Sequence, residues 1–413
     1  MATASISNSN CPNVFEAELP SIAYEHIRNP DEAHQLIAQV REQSPIAIGP
    51  HGPEALTYEL VQTVLRNEHF ATPPGLGLDM QGITSGPVWD RAIEGILSLR
   101  GEQHLRLRRL VSKAFAPRAV TQMHSLSVKT ITNLVDPVSR KGKCDVVSDI
   151  ARQYPIPIIC ALLGTPAEDW QFFSDCIEGI TKLFAWNVAN DAPEIEKAWN
   201  ALDAYIDAMV TDRRAAPADD LISDLIQAED QGDRLTHDEL LMLATNLLSA
   251  ATHSMRNQLA AAVQVLCDHP DQWALLAQHP ELAPAAVNEI MRYYPVIWAP
   301  FRQAIDDVEL GGLRIPAGTL VMANTAAANR DPAVYDDPDH FDITREDSAP
   351  MLSFSWGAHF CLGSHLARIE LSEALKVITQ RMPNPSRCGP APWKPIVGIT
   401  GPTTLPIEFD PGY

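Results

Sequence analysis

The stretch "FSWGAHFCLGSHLARIEL", residues 354–371, places a single cysteine, Cys361, in a loop rich in glycine and aromatic residues that runs directly into an apolar helix. Glycine lets a backbone approach a bulky, flat group closely. The start of a helix favours the thiolate, which is the form of cysteine that binds metals. We expect the aromatic side chains of Phe354, Trp356 and Phe360 to shield the sulfur from water.

Two simpler roles for Cys361 are open from this stretch alone. Most single cysteines are buried, inert side chains in a packed turn. A cysteine nucleophile is the other possibility, and it needs a histidine base, for which His359 and His365 are available.

The composition limits the partners of the chain. It has 413 residues, 46% of them hydrophobic, and a formal net charge of −21. Such an acidic surface argues against nucleic acid and anionic membranes as general partners. No stretch approaches the roughly 20 apolar residues that span a bilayer, and the polar N-terminus lacks the layout of a signal peptide. We therefore expect a cytoplasmic protein.

The seven cysteines are scattered along the chain, and none forms a CxxC pair. This pattern indicates reduced thiols in a cytoplasm rather than a disulfide framework. It also excludes a tetrathiolate zinc site and a cysteine-bound iron–sulfur cluster with their usual spacings.

Apolar residues at helical spacing dominate the chain, and strand patterns are short and late, which predicts a mainly α fold with small β-sheets (α+β). Strands and turns are expected within residues 308–325. Without repeats or a linker, a single domain over residues 1–413 is expected, with residues 1–20 poorly ordered or extended. Shorter helices are expected over 102–114, 144–163, 168–186, 193–214 and 219–228.

Residues 238–268 run without glycine or proline and predict a helix about 46 Å long. It is apolar on most sides, so we expect it to cross the core. Buried polar groups are costly without partners, so polar residues at its centre must bond locally or face a cavity. These central residues are Ser249, Thr252, His253, Ser254 and Asn257.

Three further patterns accompany the cysteine loop. "NEIMR" places Glu289 and Arg292 three apart on one helix face, where an ion pair is commonplace. "HLRLRRLVSKAF" places His104 and Arg108 four apart, a local basic cluster in an acidic protein. Arg302 follows the Glu289–Arg292 helix after a short loop, at the start of a strand.

Together these patterns resemble the cytochrome P450 family, in its soluble, ferredoxin-dependent bacterial form. "EIMR" is similar to the ExxR motif of that family, and "NRDP" (329–332) and "FDITR" (341–345) are similar to its connecting motifs. The resemblance runs from about residue 20 to the end, in the family's order. The residues in register with the family's haem-binding loop are Phe354, Gly357, His359, Cys361 and Gly363.

The resemblance implies a P450 fold, with haem b between the long distal helix and the helix that follows the cysteine loop. Cys361 would be the thiolate ligand of the iron, and thiolate donation favours cleavage of the O–O bond. Glu289 and Arg292 would be structural. The haem-binding set would be completed by His104, Arg108, Arg302 and His359 at the propionates, with Phe354 and Gly363 in the loop.

The chain departs from the family in the long helix. The family motif ends in an acid and a threonine that help to deliver protons, whereas here His253 and Ser254 stand in those positions. Ser254 keeps the hydroxyl, and an imidazole can relay protons near neutral pH. A shift of one register would bring Thr252 to the site instead, and His253 has a core position as its alternative role. Ser355 stands where the haem loop usually has glycine.

The resemblance implies a monooxygenase that inserts one oxygen atom from O₂ into a hydrophobic small molecule such as a terpenoid, steroid or aromatic compound. Electrons would come from NAD(P)H through ferredoxin reductase and ferredoxin, with Arg106 or Arg109 as docking residues. The altered motif keeps an atypical P450 open (peroxygenase, oxidative coupling or isomerisation), and a haem-thiolate ligand-binding protein is a further alternative. Candidate substrate walls are residues 72–98, Phe184, Trp186, Ala250, Ile297, Trp298 and Ile399.

Overall fold

The computed structural model describes residues 11–230, 235–346 and 349–411. Helices dominate these residues, as the sequence predicts. The α-helices are α1 (Pro30–Gln43), α2 (Tyr58–Arg66), α3 (Pro87–Glu94), α4 (Gly101–Ser112), α5 (Pro117–Val120), α6 (His124–Ser139), α7 (Pro155–Leu163), α8 (Trp170–Thr181), α9 (Val188–Ala215), α10 (Leu221–Asp230), α11 (His237–Asp268), α12 (Pro270–Gln278), α13 (Ala283–Tyr293), α14 (Thr325–Ala328) and α15 (Ser364–Arg381).

The strands are short and form small sheets. A five-stranded sheet has the order β1-β2-β8-β5-β3, a three-stranded sheet has the order β4-β10-β9, and β6 pairs with β7. The strands are β1 (Ile46–Gly49), β2 (Gly52–Ala55), β3 (Phe70–Ala71), β4 (Lys143–Asp145), β5 (Phe301–Ala304), β6 (Val308–Leu310), β7 (Leu313–Ile315), β8 (Leu320–Ala323), β9 (Ser386–Arg387) and β10 (Pro406–Glu408).

Helix α11 is the long helix that the sequence predicts over residues 238–268, and it begins one residue earlier. Its start is fixed by a capping box, in which the Thr236 hydroxyl accepts from the Glu239 N–H and the Glu239 carboxylate accepts from the Thr236 N–H. The helix packs against α7, α8, α9 and α15, and most of its side chains are buried. It is therefore a core helix, as its apolar sequence indicates.

The first of two compact units comprises the described residues of 1–73, 285–361 and 392–403. Its core is the five-stranded sheet, in which β2 and β8 pair in parallel with Ala55 opposite Ala323. The helices α1, α2 and α14 pack on this sheet and on one another, around apolar side chains such as Val61 and Val321. The cysteine loop and the ExxR residues belong to this unit.

The second unit comprises the described residues of 74–284, 362–391 and 404–413. It is an assembly of helices α3 to α12 and α15, in which α6 packs along α15 and α8 along α9. The sheet β4-β10-β9 lies in this unit, with Cys144 of β4 opposite Ile407 of β10.

Two predictions of secondary structure are corrected. The helix predicted over 144–163 is in fact strand β4, a single π-helical turn over Val147–Ala151, and then α7. Residues 1–10 lie outside the described residues, but residues 11–20 are anchored rather than poorly ordered. Val14 is fully buried, and its N–H donates to the Arg314 carbonyl at 3.0 Å.

Candidate active site

The loop before Cys361 is held by backbone hydrogen bonds and by unusual backbone angles. The Cys361 N–H donates to the Phe354 carbonyl at 2.9 Å, which closes the loop on itself. Gly357 has a φ of +75°, and a Cβ built there would lie 2.7 Å from the Leu65 carbonyl oxygen. Only glycine fits at such a position. Cys361 is half-buried, and α15 begins three residues later at Ser364.

The three aromatic side chains near Cys361, which are predicted to shield its sulfur, have different surroundings. Phe354 is buried. The Trp356 ring packs under Arg66, with 5.2 Å between its centre and the guanidinium carbon. Phe360 is 38% exposed, and its ring centre lies 6.4 Å from that of Phe354.

Four other cysteines, Cys144, Cys160, Cys176 and Cys267, are buried. Burial raises the pKa of Cys144 to about 12 and the pKa values of Cys160 and Cys176 to about 11. It also raises the pKa of Cys267. These side chains therefore remain neutral thiols at ordinary pH, and a thiol binds metal poorly.

Glu289 and Arg292 form a buried ion pair, joined by two hydrogen bonds of 2.7 and 2.8 Å. Arg292 also donates to the backbone carbonyls of Asn329 and Pro338. Glu289 in turn accepts from Arg345, a residue of the predicted "FDITR" motif. The pair thus connects α13 with the "NRDP" and "FDITR" segments. The partners described here are backbone carbonyls and the Arg345 side chain.

Arg302, on β5, is the other buried arginine of interest in the first unit. Its side chain is 7% exposed and donates to the Phe301 carbonyl at 2.8 Å and to the Ser355 hydroxyl at 3.3 Å. Burial alone lowers its pKa to about 10, and among the described residues no carboxylate pairs with it. A buried cation without a counterion is costly, so this guanidinium suits an anionic group that the chain itself does not supply.

The four predicted propionate-binding residues are two arginines and two histidines. Arg302 and half-buried His359 belong to the first unit, while His104 and Arg108 lie on one face of α4 in the second. His104 is buried, and its pKa is lowered by burial and by the positive charge of Arg108. Donors of this kind suit a carboxylate, so each of these side chains taken by itself fits a haem propionate.

The centre of α11 distinguishes the two alternative registers. Thr252 is fully buried, and its hydroxyl donates to the Leu248 carbonyl at 2.8 Å. Ala250 is exposed and Ser254 half-buried, and the Ser254 hydroxyl donates to the Ala250 carbonyl at 2.9 Å. His253 is buried on another side of the helix. Ala250 and Ser254 therefore define the open face of α11. Thr252 and His253 do not lie on this face.

The predicted substrate walls separate into three groups. Ile297 and Ile399 form a β-bridge in the first unit, and both are half-buried. Phe184 and Trp186 are half-buried in the turn after α8 in the second unit. Trp298 is corrected, because it is 2% exposed and its ring packs 4.3 Å from His34. It is a core residue of the first unit.

The segment 72–98 contains helix α3, which is fastened within the second unit. Arg91 of α3 forms a two-pronged ion pair with Asp203 of α9, with one of its hydrogen bonds at 2.8 Å. Asp203 also accepts from the Thr245 hydroxyl of α11 at 2.8 Å. Asp203 lies 112 residues from Arg91 and 42 residues from Thr245, and no local pattern marks these contacts.

Two residues gain a different meaning from the structure. Arg106, predicted as a docking residue, forms an ion pair with Glu239, whereas Arg109 is exposed. Ser355, noted only as a departure from the usual glycine, has a left-handed φ of +60° and accepts the hydrogen bond from Arg302. In the sequence, the sign of this contact is that serine replaces the usual glycine at position 355.

Among the described helices, none has both the length and the apolar composition needed to cross a membrane.

Known proteins similar to the chain agree with this geometry. The family model described as Cytochrome P450 matches residues 58–382, more than half of the chain. Luteothin monooxygenase of Streptomyces thioluteus is 35% identical over 375 residues, or 90% of this chain and 92% of that protein. Mycinamicin IV hydroxylase/epoxidase of Micromonospora griseorubida is 36% identical over 90% of this chain and 94% of its own length. The crystal structure of CalO2 is similar with a TM-score of 0.88 and 29% identity, covering 96% of this chain and 100% of that one.

The cysteine loop, the buried ExxR pair and Arg302 all lie within the matched residues, and the matched relatives are a monooxygenase and a hydroxylase/epoxidase. Haem b is the cofactor of this family. The chain belongs to the cytochrome P450 family, in its bacterial form, and is a P450 monooxygenase.

Proposed function

We propose that this monooxygenase oxidises a hydrophobic small molecule at a haem b bound through Cys361, with Ser254 serving oxygen activation. The open face of α11 carries the proposal. Most of the helix centre is buried, yet Ala250 is exposed and the Ser254 hydroxyl lies one turn further along on the same face. A small apolar residue beside a single hydroxyl suits a site that must admit both a substrate and oxygen.

In this proposal the cysteine loop supplies the thiolate, and the cationic side chains supply the propionate contacts. The bound haem contributes oxygen activation, which its electron-rich thiolate ligand favours. Arg302 would hold one carboxylate from the first unit, with His359 beside the loop. His104 and Arg108 are the other proposed propionate contacts. Charge-assisted hydrogen bonds of this kind are roughly twice as strong as neutral ones.

Ser254 is the residue of α11 that we assign to proton delivery. Its hydroxyl now donates to the Ala250 carbonyl, a bond that a serine rotamer can give up to accept or donate elsewhere. Thr252 is fully buried, and its hydroxyl donates a hydrogen bond to the Leu248 carbonyl. The structure therefore favours Ser254 over Thr252 for this role.

We propose that the substrate contacts apolar side chains. Ile297 and Ile399 offer one apolar surface in the first unit. Ala250, Phe184 and Trp186 offer others in the second. Burial of apolar surface supplies most of the binding energy in such sites. The relatives are named for different molecules, luteothin and mycinamicin IV, so relationship alone selects no substrate.

For electron supply we propose a ferredoxin and its NAD(P)H-dependent reductase, in the cytoplasm. Arg109, exposed on α4, is the docking residue that remains, because Arg106 is engaged by Glu239. A rim charge of this kind mainly changes the rate of association. An Arg109→Glu variant should therefore slow ferredoxin reduction of the haem at low salt, and an unchanged rate would contradict the assignment.

One observation keeps an atypical reaction as a second candidate. His253 stands where the family has an acid, and it is buried away from the open face. Without an acid at that position, oxygen activation from O₂ would be inefficient, and peroxide would be the better oxidant. Introducing the acid with His253→Asp should raise the yield of product per NAD(P)H consumed. An unchanged yield would mean that His253 has no special role.

A titration of the purified ferric protein tests the proposed function first. Terpenoids, steroids, fatty acids and aromatic compounds are added in turn, and the Soret band is followed for the shift that marks displacement of iron-bound water. Turnover of the best ligand with O₂ and NAD(P)H supports the monooxygenase reaction on that class. Product with peroxide alone supports the atypical reaction, and binding without product in either assay overturns both.

A further inference from the structure

Ser355 occupies a backbone conformation that serine adopts at a cost. Its φ of +60° lies in the left-handed region, where glycine is favoured and other residues are strained. Its N–H donates to the Leu352 carbonyl at 2.8 Å, so the turn itself is well formed. Glycine would make the same turn without strain. A contact made by the serine side chain would offset this strain.

The only hydrogen bond found for the Ser355 hydroxyl, within the residues described, comes from Arg302 at 3.3 Å. The same guanidinium donates to the Phe301 carbonyl at 2.8 Å. A guanidinium has five N–H donors in a fixed fork, so these two bonds fix its plane and leave donors for a further acceptor. No carboxylate among the described residues takes them.

We propose that the Ser355 hydroxyl is a positioning group that holds the Arg302 guanidinium ready for a haem propionate. This inference rests on the haem site of the proposed function. Ser355 lies six residues before Cys361, in the loop closed by the bond from the Cys361 N–H to the Phe354 carbonyl. The hydroxyl thereby couples the loop that carries the thiolate to the side chain that receives a carboxylate. With glycine at position 355, the Arg302 guanidinium would keep only its hydrogen bond to the Phe301 carbonyl.

The test compares two properties that a merely structural role would move together. In the haem-free protein, Ser355→Gly relieves the strained φ and should raise the urea concentration at half-unfolding. In the haem-loaded protein, the same variant should lose haem to an excess of apomyoglobin about tenfold faster, because one hydrogen bond to a charged group is gone. Ser355→Ala keeps the strain and removes the hydroxyl, so it should lose haem equally fast without the gain in stability.

Two controls assign the effect to Arg302. Asp337, exposed in the same unit, also has a left-handed φ, of +43°, so Asp337→Gly should stabilise the haem-free protein and leave haem loss unchanged. In an Arg302→Met background, Ser355→Gly should not accelerate haem loss further. Haem retention at the wild-type rate in both Ser355 variants overturns the inference while the haem site stands. A wild-type protein that takes up no haem overturns both.

Discussion

Replacing Arg302 by methionine should leave the haem-free protein at least as stable as the wild type, although it removes a buried charged side chain. Burial alone lowers the pKa of Arg302 from its ordinary 12.5 to about 10. One pKa unit corresponds to about 1.4 kcal/mol, so keeping this cation charged in the folded protein costs about 3 kcal/mol. Because the folded-state pKa lies below the unfolded one, the cost is present in full at neutral pH and declines only above about pH 10.

The gain on substitution is smaller than this cost, because the bonds to the Phe301 carbonyl and the Ser355 hydroxyl are lost. Each such bond contributes about 1 kcal/mol. We therefore expect the free energy of unfolding to rise by about 1 kcal/mol or to stay unchanged. Methionine suits the site because it is unbranched and tolerates irregular surroundings.

Arg292 is the matched control, since it is equally buried in the same unit but has an acid partner in Glu289. Arg292→Met strands a buried carboxylate and should cost about 3–5 kcal/mol. Urea unfolding of the haem-free proteins at neutral pH, followed by far-UV circular dichroism, gives both values. A loss in Arg302→Met as large as that in Arg292→Met would refute the reasoning, because Arg302 would then have a partner within the chain.

Three further outcomes are expected. Ser254→Ala should lower the product formed per O₂ consumed by about tenfold or more, whereas Thr252→Val should leave this ratio unchanged. A loss in Thr252→Val but not in Ser254→Ala would mean that Thr252 occupies the oxygen site. Burial raises the pKa of Glu54 to about 7, so the folded state binds a proton that the unfolded state has released. Stability from this group, up to about 3 kcal/mol, is present at low pH and is lost as pH rises from about 4.5 to 7. Glu54→Gln should remove that loss, which urea unfolding of both proteins across this range will measure. Arg91→Met should lower the free energy of unfolding by about 1–3 kcal/mol through its bonds to Asp203, and an unchanged value would mean that the pair contributes nothing to holding α3.

Local sequence patterns predicted the helical elements well, because their causes are local. The long helix differs from its predicted span by one residue, since a capping box and an uninterrupted apolar run define it. The prediction over 144–163 is wrong at its start because residues 143–145 pair with residues 406–408. Such pairing between distant residues overrides local propensity, and no local pattern reports it.

The candidate site was predictable to a similar extent. The motifs indicated Cys361, Arg302 and the ExxR pair as site residues. Only the structure shows that Ile297 and its apolar neighbour Trp298 differ in exposure. A bridge to Ile399 leaves Ile297 half-buried, whereas the Trp298 ring enters an aromatic cluster with His34. Exposure depends on packing partners that lie far away in the sequence. For the same reason, Ser355 could be noted as unusual but not connected with Arg302.

The composition of the first unit has a consequence for how the protein is made. Its sheet needs β2 from the first part of the chain and β8 from a segment more than 260 residues later, and residues 392–403 complete the unit. Chains leave the ribosome from the N-terminus at about 5–20 residues per second. The unit that carries Cys361 and Arg302 therefore cannot close until residues 392–403 have been made. We expect haem capture only after that point, so a nascent chain stalled before residue 392 should emerge without the cofactor.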